Sequence, residues 1–289
     1  MHLRKVLVAG FFGLGSYKST RSMSTQLHNT SGRTMDSLNN KTVLITGANR
    51  GLGKLISQKM AAQGWVVYAT ARDAKAMAAA FEKEGLRCSQ YMDFDLCETP
   101  NPERIDQLFA ALPQTIDAVV HCASPYMKTP LLETSSEEIE AFSNAMQNDI
   151  LFSKAAASKL RTSSNPNPVL AITGAVIGLP DFYALGMMGL LKNNQRQLAG
   201  VLAHELEQAK ASVSVRHFDL GAFRDEVLDP DKEISTEFVA TTIIDALNNP
   251  SEYPLNIHLL PKENEQDFGV KATRAPEEAK TSSMSASRM

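Results

Sequence analysis

Cysteine is scarce: Cys88, Cys97 and Cys122 are the only three in 289 residues, and no two stand in a C-x-x-C spacing. So small and odd a set excludes a disulfide-stapled framework and supplies too few ligands at useful spacing for a zinc site, so no metal is expected. The plain reading is three reduced thiols in a reducing compartment. Long hydrophobic runs are also missing. The apolar stretch at residues 6–14 is too short for a bilayer, and no segment reaches the roughly 18 apolar residues of a membrane helix. Excess positive charge is absent from most of the chain. Net charge is -3, yet residues 1–40 hold Arg4, Lys5, Lys18, Arg21 and Arg33 against Asp36 alone, so everything after residue 40 is acidic. An acidic body argues against a nucleic-acid surface, which needs clustered Lys and Arg. It leaves room for an anionic small molecule held by one local basic pocket. Hydrophobic residues at 43% and charged residues at 21% exclude a disordered or collagen-like chain.

The two ends read differently from the middle. Residues 1–40 are basic and rich in Ser and Thr, the composition of an organelle transit peptide, which makes a mitochondrial or similar address the expectation. A plain N-terminal extension on a cytoplasmic protein is the alternative. Residues 263–289 are polar and lack periodicity, as in a disordered tail, and the ending Ser287-Arg288-Met289 resembles the Ser-Lys-Leu peroxisomal address.

Between residues 41 and 262, short apolar runs alternate with amphipathic segments. Strands are expected at 42–46, 65–70, 86–92, 116–120, 169–173, 213–218 and 256–260. Runs such as Val43-Leu44-Ile45 and Ala118-Val119-Val120 suit strands covered on both faces. Leu52, Leu55, Ile56 and Met60 form a helical stripe, and Ser135 with Glu138 makes a capping box before a long helix to about residue 160. This rhythm predicts a single α/β domain: a doubly wound Rossmann-type fold with a parallel sheet of about seven strands flanked by helices.

The first strand runs into Thr46-Gly47-Ala48-Asn49-Arg50-Gly51-Leu52-Gly53. Gly47 permits a tight turn off the strand. Gly51 lets backbone approach a diphosphate without a Cβ in the way, and Gly53 allows close packing of the following helix. The amides opening that helix, with its positive dipole end, would hold the phosphates. T-G-x-x-x-G-x-G in this context resembles the cofactor loop of the short-chain dehydrogenases/reductases, and the resemblance extends through most of residues 41–262. It implies an oxidoreductase using a nicotinamide dinucleotide. Asp95-Leu96 then corresponds to the adenine-contacting position. Ala123 is the one residue of Val119–Ser124 that matches the family's Asn-Asn-Ala-Gly turn. Asn148 falls where the family's helix Asn holds a proton-relay water, and Leu220-Gly221 replaces the Pro-Gly beside the nicotinamide. The family often pairs through two long helices, which implies a homodimer or homotetramer through residues 135–160 and 183–208.

An NAD site needs a carboxylate at the end of the second strand, to accept from the ribose 2′-hydroxyl. By comparison with the family, that position corresponds to Ala71, followed by Arg72, with Arg50 in the glycine loop. Two guanidinium groups suit a 2′-phosphate, so NADP is favoured over NAD. Asp73 reads as a helix cap rather than a ribose ligand.

The catalytic motif is where the resemblance breaks. The family uses a Tyr as proton donor or acceptor, a Lys one turn later and a Ser at the end of the fifth strand. Aligned on Tyr183, the Lys position becomes Met187 and the Ser position Gly174, with Thr173 offering a hydroxyl one residue earlier. Counted along one continuous helix, Lys192 falls on the opposite face from Tyr183. Tyr183, Asn148 and Thr173 are therefore the catalytic candidates. Asp181 reads as a turn residue, with a role as surrogate acid or substrate-orienting group open, and His121 and Cys122 as structural residues at a strand end, with a proton-donor role for His121 open. Two functions remain: an NADP(H)-dependent reductase of a carbonyl-type small molecule with Tyr183 as proton donor, or a cofactor-binding protein without turnover that acts as a redox sensor or assembly partner.

Overall fold

The computed structural model describes residues 41–176, 186–229 and 232–261. The expected targeting segment, the expected tail, Asp181 and Tyr183 lie outside the described residues. The strands are β1 (Thr42–Thr46), β2 (Val66–Ala71), β3 (Gln90–Asp93), β4 (Ala118–His121), β5 (Val169–Thr173), β6 (Ser214–Leu220), the short pair β7 (Phe223–Arg224) and β8 (Ile234–Ser235), and β9 (Asn256–Leu259). The helices are α1 (Gly51–Ala62), α2 (Ala74–Lys83), α3 (Pro102–Ala110), α4 (Ser136–Leu160), α5 (Met187–Gln208) and α6 (Thr236–Asn248).

Seven strands form one parallel sheet in the order β3-β2-β1-β4-β5-β6-β9. This is the doubly wound arrangement that the alternation of strands and helices predicts. Side-chain alternation along each strand feeds two cores. Val43 and Ile45 of β1 point to one face, with Ile56 and Met60 of α1 and Val239 and Ile243 of α6. Leu44 points to the other, with Phe152 and Ala156 of α4 and Leu191 and Ala199 of α5. Both faces of the central strands are therefore dry, which is why their sequence reads as continuous apolar runs.

Two predicted boundaries move for local reasons. β3 begins at Gln90 rather than at residue 86, because Gly85 at φ +72° lets the Leu86 amide turn back onto the Phe81 carbonyl at 2.9 Å and close α2. α5 begins at Met187 rather than at residue 183: Gly186 sits at φ +53°, and a Cβ there would lie 2.3 Å from the Thr129 carbonyl oxygen. The caps read from sequence are present. Ser135 and Glu138 form the reciprocal capping box of α4, and the Asp73 carboxylate accepts from the Ala76 amide at 2.8 Å to cap α2.

Candidate functional site

The strand order reverses between β1 and β4, and a cleft of about 1150 Å³ opens at the carboxyl ends of the strands around that point. Crevices at such switch points are where open parallel sheets bind ligands. The glycine loop forms one wall, with Gly47, Asn49, Arg50, Gly51, Leu52 and Gly53 all facing the cleft. Gly47 is left-handed at φ +66°, and a Cβ on it would lie 3.0 Å from the Ala123 backbone. Gly51, also left-handed, has nothing within 4 Å of its would-be Cβ, so its exposed edge faces open space. Gly53 departs in detail from the sequence reading: a Cβ there would meet the Gly47 carbonyl oxygen at 2.4 Å, so its smallness serves the turn itself rather than helix–sheet packing. No side chain caps the start of α1 and its first turn holds no acid, which leaves its opening amides available to an anion.

At the end of β2, Ala71 and Arg72 line the same cleft. Neither Arg50 nor Arg72 has an ion-pair partner among the described residues. Two nearby carboxylates are committed elsewhere: Asp73 to its cap, and Asp93 to the Ala74 amide at 2.7 Å. Asp95 and Leu96 line the cleft after β3, Ala123 after β4 and Gly221 after β6. These groups fit the phosphates of a dinucleotide: opening amides without a side-chain cap, guanidinium groups unpaired among the described residues, and an approach cleared of Cβ atoms.

The catalytic candidates fare differently. Thr173 lines the cleft, but its hydroxyl donates to the His121 carbonyl at 3.1 Å. Asn148 does not reach the cleft floor. Its amide donates to the carbonyls of Leu96 and Glu98 at 2.9 and 2.8 Å, so it pins the loop carrying Asp95 and does not have the relay position that the resemblance implied. Lys192 requires the main correction. Counting nine residues from Tyr183 assumed one helix through both, whereas α5 begins only at Met187. Lys192 is 5% exposed and lines the cleft beside Thr173, Gly174 and Met188. Counted backward from it, the family's Tyr-x-x-x-Lys spacing puts Met188, not Tyr183, at the tyrosine position. Met187, taken from sequence as the lysine position, points into the protein at 3% exposure.

Behind Lys192 runs a buried polar chain that sequence reading missed. Lys192 Nζ donates to Gln195 Oε1 at 3.0 Å, Gln195 Nε2 to Asp149 Oδ2 at 3.0 Å, and Asp149 Oδ1 lies 2.8 Å from His121 Nε2. His121 Nδ1 lies 2.8 Å from Thr46 Oγ1, which accepts the amides of Cys122 and Ala123 at 3.1 and 3.0 Å. With both lone pairs of Thr46 taken, its own hydrogen goes to His121 Nδ1. Nε2 then carries the ring proton and donates to Asp149. His121, stacked on Phe152 at 4.7 Å, is thus a satisfied interior group and no proton donor to the cleft. The spacing of Lys192 and Gln195, three apart on one helix, was the available signal for this chain. Asp149 had none, because its partner lies 46 residues away.

Burial lowers the Lys192 ammonium to about 8, against the opposing influence of Asp149 and Cys122. Burial pushes the Cys122 thiol up to about 12, with Thr173 and Lys192 opposing, so it stays a thiol at neutral pH. Beneath Gly174 lies His217, whose ring occupies the space a serine side chain would need. Burial lowers His217 to about 4, Asp219 opposing.

The short chain dehydrogenase family model matches residues 41–232. A curated relative, the diacetyl reductase [(S)-acetoin forming] of Staphylococcus epidermidis, is 25% identical over 192 residues, covering 65% of this chain and 74% of its own. Among solved structures, a short-chain dehydrogenase from Streptomyces avermitilis superposes with a TM-score of 0.65 at 21% identity, over 79% of this chain and 90% of that one. A short chain dehydrogenase from Shigella flexneri complexed with NADP superposes with a TM-score of 0.64 at 21% identity, over 78% and 98%. The chain belongs to the short-chain dehydrogenase family and shares its parallel, seven-stranded Rossmann-type architecture.

Proposed function

We propose that this protein is an NADP(H)-dependent oxidoreductase that reduces the carbonyl group of a small molecule. The observation that carries the reading is the pair of guanidinium groups, Arg50 and Arg72, unpaired among the described residues, beside a β2 end that holds no carboxylate, in the same cleft as the buried ammonium of Lys192. The amides and glycines of the 47–53 loop hold the diphosphate, Arg50 and Arg72 grip the 2′-phosphate, Asp95 and Leu96 bound the adenosine end, and Ala123 and Gly221 the nicotinamide end. When bound, the cofactor supplies the hydride. Thr173 and Asn148 hold the surrounding backbone in place, through the His121 carbonyl and the loop after β3. The phenol expected to protonate the product, Tyr183, belongs to the segment outside the described residues. Pairing of subunits through α4 and α5 is supported by exposed Ile139 and Ile150 on one helix and Leu190 and Val201 on the other.

Diacetyl is the first substrate to try, because a relative of this chain is named for its reduction. Titration with NADPH and NADH by fluorescence, followed by NADPH oxidation with diacetyl and a panel of aldehydes, ketones and quinones, tests the reading. Tight preference for NADPH with turnover of a carbonyl supports it. Absence of binding to either nucleotide overturns it.

A second reading, cofactor binding without turnover, is favoured by two observations: Met188 stands at the tyrosine position and His217 fills the serine volume. NADPH binding with no reduction of any member of the panel selects it.

A further inference from the structure

Reduction of a carbonyl needs an acid at the reacting oxygen. Among the described residues of the cleft, most titratable groups are unsuited to that task. Arginines do not release a proton. The Cys122 thiol, at about 12, is too weak an acid. Tyr126 is two-thirds exposed at the rim, where the Lys128 ammonium lies 4.7 Å above its ring. Asp95 accepts from the Cys97 amide at 3.0 Å on the side of the cleft after β3. Lys192 differs in place and in bonding. It lies at the floor next to the ends of β4 and β5, and of its three ammonium hydrogens only one is engaged among the described residues, by Gln195.

We propose that Lys192 is itself the acid that delivers the proton to the substrate carbonyl, held in place for that task by Gln195 and Asp149. This rests on the reductase reading above and moves its proton-donating step from Tyr183 to Lys192. With a reduced nicotinamide bound to supply hydride to the carbonyl carbon, the C=O π pair would move to oxygen and a proton would pass from Lys192 Nζ to that oxygen. The products are an alcohol, the oxidised nucleotide and a neutral Lys192 amine. The Gln195 amide has no proton to pass on without becoming an imidate, so the chain to Asp149 and His121 fixes the ammonium in position. Solvent entering the open cleft restores its proton.

The groups facing Lys192 account for its acidity. From α5 comes the neutral Gln195, from α4 the Asp149 carboxylate, from the end of β4 the Cys122 thiol, from β5 the Thr173 hydroxyl, and from β6 the His217 ring. Desolvation outweighs the one carboxylate, leaving the ammonium protonated at neutral pH yet ready to give up its proton. That is the condition an efficient general acid meets.

The test uses the full-length protein, NADPH at saturation and diacetyl, or the best carbonyl of the panel. The reduction rate of the unaltered protein is expected to be flat below about pH 8 and to fall roughly tenfold per pH unit above it. Lys192→Met is expected to lose at least about a hundredfold in kcat, within the usual range for removing a general acid, while fluorescence still reports NADPH binding. Lys192→Arg keeps the cation without a transferable proton, and is expected to stay within about threefold of Lys192→Met. In the protein without nucleotide, reductive methylation of Lys192 followed by mass spectrometry is expected to be half-maximal near pH 8. Recovery of activity in Lys192→Arg, methylation of Lys192 only above pH 10, or a greater loss in Tyr183→Phe than in Lys192→Met would each overturn the proposal and leave the reductase reading intact. Binding of NADPH without reduction of any carbonyl by the unaltered protein overturns the reductase reading itself, and this proposal with it.

Discussion

The ring of His217 on β6 stands where a side chain on Gly174, just past β5, would begin: a Cβ there would lie 2.3 Å from His217 Nε2. The two strands are locked in register, with the Gly174 amide on the Phe218 carbonyl at 2.8 Å, so neither backbone can retreat. The family's serine cannot be restored at this position while the histidine is present. Gly174→Ser is expected to destabilise the protein by about 2 kcal/mol, the cost of overpacking a core position. In a His217→Ala background the same change is expected to cost little. Denaturant unfolding of the four proteins of this cycle measures the coupling, and additive effects would contradict it.

His217 also sets an acid limit. Its folded-state value, about 4, lies below its ordinary 6.5 because the buried ring resists charge. Between those values the unfolded chain binds the extra proton, so this group's contribution falls as pH drops from 6.5 to 4. At about 1.4 kcal/mol per unit, the loss approaches about 3 kcal/mol. Unfolding free energy measured across that window should decline less steeply in His217→Leu than in the unaltered protein.

Asp149 serves two partners at once, His121 and Gln195. Asp149→Asn replaces an acceptor-only group by one carrying N–H, which must face a donor on one side. A loss of about 2–4 kcal/mol in stability is expected. The carboxylate also opposes the effect of burial on Lys192. Without it the lysine value moves further down, so the alkaline fall in reduction rate should shift to lower pH. A pH–rate profile of the variant measures the direction.

Arg72 is exposed at the end of β2, without an ion-pair partner among the described residues, next to a buried Ala71. Arg72→Ala is expected to weaken NADPH binding roughly tenfold to a hundredfold and leave NADH binding nearly unchanged, since only the 2′-phosphate loses a charge-assisted partner. Raising salt should weaken the NADPH complex of the unaltered protein more than that of the variant. Parallel titrations with both nucleotides decide it.

The alternation of apolar runs and amphipathic segments, the glycine spacing after Thr42–Thr46 and the caps at Asp73 and Ser135 are legible in the sequence alone, and they determined the sheet, its two covered faces and the phosphate wall. Each depends on residues within a few positions of one another, where periodicity and hydrogen-bond reach are local properties. The catalytic floor is of a different kind. Whether Lys192 belonged to it turned on where α5 starts, which Gly186 decides through its approach to Thr129, 57 residues upstream. The chain from Lys192 through Asp149 and His121 to Thr46 joins α5, α4, β4 and β1, and the exclusion of a serine at Gly174 depends on a histidine of the neighbouring strand. Contacts between residues 28 to 75 positions apart leave no local pattern. Only the packing of the strands side by side, with α4 and α5 across one face, could bring those side chains to the same place.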